Sequence, residues 1–307
     1  MGAEFVQLSL VPLLIGTLAA LACALPGNFL LLRRQALVGD AISHVVLPGI
    51  VAAFLFTGTI STWPMMIGAA GAAILAVLLI EAVRRIGGIE PGAAMGVVFT
   101  TLFAAGVLLL ERSDTSGVHL DVEHALYGNL ESLVWFDATG WASLLDPLAL
   151  GGLPPELSRM AVTACLIALL FAVFRRPLTL ATFDEGFAAT IGVPVRALSF
   201  GLVIVAAVAA VAAFDAVGSI IVIAMFICPP ATARLLTDDL NRQIGWSLLA
   251  AVLSAVLGYV LAGYGPLWLG FSASVSAAGT IATVSGVFLA LAALFGPRRH
   301  RAGAPAG

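Results

Sequence analysis

The chain has 307 residues, of which 61% are hydrophobic and only 10% are charged, whereas soluble domains carry about 25% charged residues. Its mean hydropathy of +1.10 excludes a fold whose surface is mostly exposed to water. The formal net charge of -3 decides little, because the position of the charges along the chain is more informative than their sum.

Successive apolar runs of about 20 residues, the length that spans a bilayer as a helix, are separated by charges and turn residues. Backbone groups in hydrocarbon must pair within their own segment, and the alternating pattern of a membrane barrel is missing, so the runs predict helices. The predicted spans are residues 5–25, 41–57, 64–83, 94–110, 160–174, 195–213, 217–235, 245–263 and 274–295.

These spans predict an all-α fold, a polytopic transmembrane helix bundle of about nine helices. The number becomes eight or ten if one short run is re-entrant. We expect one membrane domain over residues 1–296, and a disordered cytoplasmic tail over residues 297–307.

The arginines test this number of spans, because cytoplasmic loops are enriched in Lys and Arg. All 14 basic residues are arginine. With nine spans and the N-terminus outside, twelve of them fall on the cytoplasmic side, and only Arg112 and Arg159 fall outside. The bias predicts an odd number of helices, an external N-terminus and a cytoplasmic C-terminus.

The longest connection, residues 111–159, then faces outward and is rich in acidic residues. Its eight acids are Glu111, Asp114, Asp121, Glu123, Glu131, Asp137, Asp146 and Glu156. Such a vestibule attracts cations and could dock a basic surface of a partner, although an ordinary solvated loop has the same composition. Asp215 could line the vestibule or be a turn residue, and residues 126–136 are apolar enough to enter the membrane.

One carboxylate and one imidazole lie at the start of the second span. Asp40 and His44 are four residues apart, so they share one helical face about a turn from each other. Ionisable residues inside a membrane are costly and usually functional, and this pair suits manganese, iron or zinc. Pro48 has no N–H to bond the His44 carbonyl, which leaves a further oxygen nearby. Two ligands suit a transit site, and the alternative is a hydrogen bond that holds the helix to its neighbour.

The loop of residues 178–196 carries the signals of a short helix outside the membrane. Thr182 or Asp184 can cap its N-terminus, acids occupy its first turn, and Gly192 ends it. A helix presented between two spans resembles a docking surface for another protein. The alternative is a purely structural turn.

Two adjacent prolines, Pro229 and Pro230, interrupt the span of residues 217–235. A proline inside a helix removes a backbone hydrogen bond and crowds the preceding turn. The pair therefore predicts a kink or hinge.

Several familiar catalytic motifs are missing from the sequence. There is no GxxxxGK[ST] phosphate loop, so the chain is not itself a P-loop ATPase. There is also no HExxH or GxSxG motif. We predict that the chain is not an enzyme and binds no nucleic acid, its surroundings being membrane lipid.

The motifs resemble the permease subunits of bacterial ABC importers for manganese, zinc or iron, the ABC-3 family. The resemblance covers nearly the whole chain, from Phe5 to the arginines of the tail. Its most specific pieces are Leu31-Leu32-Arg33-Arg34, Gly39-Asp40-Ala41-Ile42-Ser43-His44, Leu47-Pro48-Gly49, Gly96-Val97-Val98-Phe99-Thr100, Leu126-Tyr127-Gly128-Asn129-Leu130, Phe183-Asp184-Glu185 to Gly192, Ala216-Val217-Gly218-Ser219-Ile220 and Pro229-Pro230-Ala231-Thr232-Ala233-Arg234-Leu235-Leu236. The family often has Glu in place of Asp215, and Asp-Pro-Glu where this chain has Asp184-Glu185-Gly186.

The resemblance implies that Asp40 and His44 line an ion route in the bacterial inner membrane. It implies that the helix from Asp184 to Gly192, with Glu185 and Gly186 in its first turn, is a coupling helix resting on a cytoplasmic ABC ATPase subunit. It further implies an extracytoplasmic metal-binding protein and a second permease chain, identical or related. ATP is used by the ATPase subunit, and no cofactor is permanently bound to the permease.

The transported metal stays open among manganese, zinc and iron, with manganese favoured by the neighbourhood of Leu126, Tyr127 and Gly128. Another class of transporter also fits the residues. In a secondary metal transporter driven by an ion gradient, Asp40 would be the titrating group and no ATPase would be needed.

Overall fold

The computed structural model describes residues 2–58, 62–112, 130–268, 270 and 275–297. Within these residues nine helices are long and apolar enough to cross a membrane, and no strand is present. In chain order the helices are α1 Ala3–Leu32, α2 Val38–Thr57, α3 Thr62–Gly87, α4 Pro91–Arg112, α5 Pro155–Phe183, the short α6 Glu185–Thr190, α7 Val195–Phe214, α8 Ala216–Leu236, α9 Leu240–Trp268 and α10 Ala277–Phe295. The predicted all-α bundle of about nine helices is confirmed. The predicted tail lies outside the described residues beyond Pro297.

Several helices are longer than the apolar runs that predicted them. Helix α5 continues through Arg175 and Arg176 to Phe183, and α9 begins at Leu240. The predicted spans end at their flanking charges, where the apolar run ends. The helix itself can continue beyond that point into water. The first six residues of the predicted loop of residues 178–196 are therefore the end of α5.

Helices α7 and α8 follow each other with almost no loop. The stretch Val195–Leu236 has 42 residues, and as a straight helix it would be about 63 Å long, twice the hydrocarbon thickness of about 30 Å. Gly218 breaks it with a φ of 79° and a ψ of 171°, a backbone conformation that favours glycine. The break redirects the chain at this membrane boundary.

The core of the bundle is formed around α1 and α8. Helix α1 packs against the stretch Val195–Leu236, α9 and α5, and α10 packs against the same stretch and α9. Helix α2 contacts this stretch, with Gly39 packed on Phe226 of α8, and it also contacts α3 and α4. Half of the most apolar window of α2 is buried, against 22% in α3 and α4.

Glycines allow the closest helix contacts. A Cβ atom added to Gly27 of α1 would lie 2.4 Å from the Phe226 carbonyl oxygen of α8. That oxygen is the one that Pro230, lacking an N–H, leaves without its helical donor. Gly49 of α2 and Gly68 of α3 face each other in the same way, since an added Cβ on either would lie within 2.5 Å of the other's carbonyl oxygen.

A segment of short helical turns and loops, residues 130–153, packs against the N-terminal half of α1. The Leu130 side chain lies beside Gly16, and the backbone N–H of Trp135 donates to the Gln7 carbonyl at 2.9 Å. Trp135 is fully buried, and its indole N–H donates to the Ala149 carbonyl at 2.8 Å. Most other side chains of the segment are exposed, so buried residues such as Leu130 and Trp135 anchor it to the bundle. Of the predicted re-entrant run 126–136, residues 126–129 lie outside the described residues.

Candidate functional site

The Asp40–His44 pair lies in the first two turns of α2. The Oδ1 atom of Asp40 is 3.3 Å from Nε2 of His44, as expected for residues four apart on a helix. The side chains are 28% and 33% exposed, respectively, in the single chain. The pair is therefore accessible to an incoming ligand and is not sealed inside the helix packing.

Two aromatic residues of α4 fix the imidazole. The Phe99 ring stacks on His44 with centroids 5.5 Å apart and an interplanar angle of 20°. The Phe103 ring meets His44 edge-on at 5.7 Å and 78°. Helix α4 comes this close because Gly106 packs directly on Pro48, where an added Cβ would lie 2.6 Å from the proline Cβ. The aromatic rings leave the imidazole few orientations besides the one that faces Asp40.

The pair offers few side-chain ligands for a metal ion. Across the described residues no group of three or more His, Cys, Asp and Glu side chains could hold a metal ion. The Asp40 carboxylate and the His44 imidazole supply two ligands of the kind that divalent transition metals accept. The His44 carbonyl, which has no helical donor because position 48 is proline, is a further oxygen on the same helix.

The short helix α6 presents an apolar surface outside the membrane spans. The Asp184 side chain caps it by accepting from the Phe187 N–H at 2.8 Å, and Gly192 ends the turn with a φ of 83°. Ala188 is fully buried and anchors the helix, whereas Phe187 and Ile191 are each 53% exposed. Exposed aromatic and aliphatic side chains on a capped, anchored helix are typical of a docking surface.

A profile of the ABC 3 transport family matches residues 5–138 and 150–296. The chain belongs to the ABC 3 transport family. The manganese transport system membrane protein MntD of Bacillus subtilis is 40% identical to it over 282 residues, 92% of this chain and 90% of that protein. The zinc transport system membrane protein TroD of Treponema pallidum is 36% identical over 285 residues, 93% of this chain and 73% of that protein.

A solved structure has the same fold. It is described as PsaBC from Streptococcus pneumoniae in complex with Fab, has a TM-score of 0.70 and 26% sequence identity, and covers 94% of this chain and 92% of that one. Membership of the ABC 3 family and nine membrane-length helices in the described residues identify a multi-pass inner-membrane protein.

The other residues predicted to be functional in this ABC 3 family member lie apart from the Asp40–His44 pair in sequence, and some lie outside the described residues. Pro229 and Pro230 lie inside α8, and within Val195–Leu236 the residue with non-helical angles is Gly218. A hinge at the two prolines stays a prediction. The Asp215 side chain lies outside the described part of the chain, as do Asp114, Asp121 and Glu123 of the predicted vestibule.

Three of the described acids in the connection of residues 111–159 have specific partners. The Glu131 carboxylate accepts from the Ala277 N–H at 2.5 Å, where α10 begins, and Asp146 caps the short helix Pro147–Gly151. Glu156 pairs with Arg159 at 2.7 Å. These three contacts stabilise local structure, and the anionic vestibule stays a prediction.

Sequence reasoning missed the role of Arg33. It used this residue as a positive charge on the cytoplasmic side and as part of the Leu31-Leu32-Arg33-Arg34 motif, but its guanidinium ties three helices together. Nε donates to the Thr182 hydroxyl of α5 at 3.1 Å, and Nη1 donates to the Ser199 hydroxyl of α7 at 2.5 Å. Hydroxyl residues so distant in sequence give no signal that they share one arginine.

Proposed function

We propose that this chain is the membrane-spanning permease subunit of an ATP-driven importer of divalent transition metal ions. The observation that carries the proposal is the partly exposed Asp40–His44 pair at 3.3 Å in an otherwise apolar helix. Burying two ionisable groups in a membrane helix is costly unless they bind something or each other. Metal transport is named for the manganese and zinc relatives, which supports a metal cargo here.

The cargo passes the pair without being held tightly. A site that conducts an ion must bind it well enough to admit it and weakly enough to release it, and two protein ligands suit this. The metal would replace the contact between Asp40 and His44, with both side chains turned toward it. Phe99 and Phe103 keep the imidazole in place, which lowers the entropic cost of binding.

A second permease chain completes the route. If two chains pair about a two-fold axis through this face of α2, the route gains two carboxylates and two imidazoles. The partner chain is an identical copy or a related permease. A metal-binding protein outside the membrane delivers the ion to the outer face, where the N-terminus lies in the predicted orientation.

Energy comes from a separate cytoplasmic ATPase subunit that contacts α6. The exposed side chains of Phe187 and Ile191 are the proposed contacts, and Asp184, Glu185, Gly186 and Gly192 shape the helix that bears them. ATP binding by the partner then moves α6, and the movement of the attached helices, with a hinge at Pro229 and Pro230, opens the site alternately to the two sides. Hydrolysis belongs to the ATPase, so the permease carries out no covalent chemistry.

Manganese is the favoured cargo, and zinc and iron have the same ligand preferences. The pair offers one hard oxygen and one borderline nitrogen donor, a set that all three ions accept. MntD, a manganese protein by its name, is 40% identical to this chain, which supports the preference for manganese.

Uptake of radioactive metal tests the proposal. The full-length chain and its partner subunits are produced in a bacterial strain without other high-affinity manganese import, and Asp40→Asn and His44→Gln are compared with Thr283→Val. Thr283 lies on α10, and its hydroxyl bonds only the Gly279 carbonyl of its own turn. Each ligand variant should lower uptake by at least about tenfold at equal expression, since even residues behind a metal ligand contribute that much. Normal uptake by both variants would refute the site.

An ATPase subunit that cannot hydrolyse ATP distinguishes an ATP-driven importer from a gradient-driven transporter. The proposal requires that this subunit abolish uptake. Uptake that persists with it but is lost when the ion gradient is collapsed would indicate a gradient-driven transporter instead.

A further inference from the structure

A large cavity opens beside α6 and extends to Phe99, the residue whose ring stacks on His44. Its volume is about 1190 Å³, and its walls come from α2, α3, α4, the end of α5 and α7. Ala41, Ile42 and Val45 of α2 line it, whereas Asp40 and His44 do not. The cavity is thus on another face of α2 than the pair. Pockets for drug-sized ligands measure about 300–1,000 Å³, so this one accommodates a larger molecule.

The end of the cavity near α6 is basic. Its charged lining residues are Arg33, Arg84, Arg85, Arg196, Glu81 and Glu185, four cations against two anions. Glu81 is already engaged, since its carboxylate lies 2.6 Å from Arg85 and 3.4 Å from Arg84. The excess of positive charge favours an anionic ligand.

Arg33 has a donor with no acceptor among the described residues. Its Nε and Nη1 groups donate to uncharged hydroxyls, and its Nη2 atom is buried without a hydrogen-bond partner in this part of the chain. Arg33 also lines the cavity, so an anion bound there would lie beside the guanidinium and stabilise a charge that the two hydroxyls do not neutralise. Burial lowers the pKa of the Arg33 guanidinium, and the negative charge of Glu185 offsets part of this effect.

The deeper part of the cavity is apolar. Val77 of α3, Met95 of α4 and Val203 of α7 belong to its lining, and Leu78 and Phe200 at its edge are 51% and 37% exposed. Exposed apolar side chains on membrane helices face lipid. A cavity with arginines near the membrane surface and apolar walls toward the hydrocarbon matches a phospholipid, with its headgroup near α6 and its chains along α3 and α7.

We propose that this cavity binds the phosphate group of an anionic phospholipid from the leaflet on the α6 side, with Arg33 and Arg196 as headgroup ligands. Arg33 bonds Thr182 and Ser199, which lie on the helices before and after α6. A phosphate beside this guanidinium would add to the contacts by which Arg33 already joins the ends of α5 and α7.

Lipid binding to the full-length chain, with any subunits that co-purify, tests the proposal. The protein is stripped of lipid in a neutral detergent, and phosphatidylglycerol or phosphatidylcholine is titrated in while native mass spectrometry measures the bound fraction. Phosphatidylglycerol should bind at least about fivefold more tightly than phosphatidylcholine, and Arg33→Gln or Arg196→Gln should each weaken it about fivefold, since one arginine near the headgroups contributes about that much. Arg176→Gln, on the exposed end of α5 outside the cavity, should have no effect.

A variant that should bind phosphatidylglycerol more tightly shows whether misfolding explains the weaker binding of the arginine variants. Glu81→Gln frees Arg84 and Arg85, so it should tighten phosphatidylglycerol binding, an effect that structural damage does not produce. Equal affinity for the two lipids, equal losses in Arg176→Gln and Arg196→Gln, or no gain in Glu81→Gln would each overturn the proposal. Millimolar inorganic phosphate is a separate arm. If it binds alone with the same dependence on the arginines and displaces the lipid, the site is for free phosphate and the lipid assignment is wrong.

Discussion

Replacing Gly68 with alanine should loosen the contact between α2 and α3. An added Cβ at Gly68 would lie 2.4 Å from the Gly49 carbonyl oxygen and 2.5 Å from the Ala53 Cβ. Ordinary contacts between carbon and a carbonyl oxygen are about 3.3 Å or longer, so the helices must separate by roughly 1 Å. Both partners are helix atoms and no flexible side-chain end can yield, so the whole contact opens.

The cost follows from a matched variant on the same helix. Gly71 is also in α3, but an added Cβ there meets nothing within 4 Å. Gly68→Ala and Gly71→Ala gain the same helix propensity, about 0.5–1 kcal/mol, so their difference isolates the steric cost. Overpacking of this kind costs about 1–3 kcal/mol. We expect the thermal unfolding midpoint of Gly71→Ala to equal or slightly exceed that of the unchanged chain. The midpoint of Gly68→Ala should lie several degrees below it.

Thermal unfolding of the purified full-length chain in one detergent measures the difference. Gly49→Ala makes the reciprocal contact and should behave like Gly68→Ala. Equal midpoints for the Gly68 and Gly71 variants would mean that α2 and α3 do not touch at these glycines, and the packing of the helix that carries Asp40 and His44 would need revision.

Three further variants test the surface helix and the outer segment. Asp184→Ala should cost about 0.5–2 kcal/mol of local helix stability by removing the α6 cap, whereas Asp184→Asn keeps the cap. We expect reduced metal-stimulated ATP hydrolysis in Asp184→Ala and not in Asp184→Asn. Equal activity in both variants would exclude a role for the cap. Phe187→Ser should lower the amount of ATPase subunit that co-purifies without changing the melting midpoint, while Leu148→Ser, at a position 88% exposed on the outer segment, should leave it unchanged. Trp135→Phe leaves the Ala149 carbonyl without its donor, at a cost of about 1–3 kcal/mol, so hydrogen exchange should rise in residues 147–153 and not in α6; unchanged exchange there would contradict the bond.

The Asp40–His44 pair shows how much of a site can be predicted from the sequence. Spacing of four residues in a helix brings two side chains together whatever the rest of the fold does, because the contact is local. The capped helix α6 was predicted for the same reason, since Asp184 and Gly192 act within their own turns. The neighbours of the pair were not predicted. Phe99 and Phe103 reach His44 only because α4 packs on Pro48 through Gly106, a contact between separate helices.

Sequence alone determined that the chain is a bundle of about nine membrane helices, because the hydrocarbon imposes both the length of each span and the pairing of its backbone. It also determined the local pair and the local cap. Tertiary structure decided which buried charges have partners and which spaces are filled. Among the described residues Arg33 bonds Thr182 and Ser199 and leaves one donor unsatisfied, and Trp135 is buried beside the N-terminal part of α1. These contacts join residues far apart in sequence, and the same apolar and polar pattern is compatible with many helix arrangements that would pair them differently.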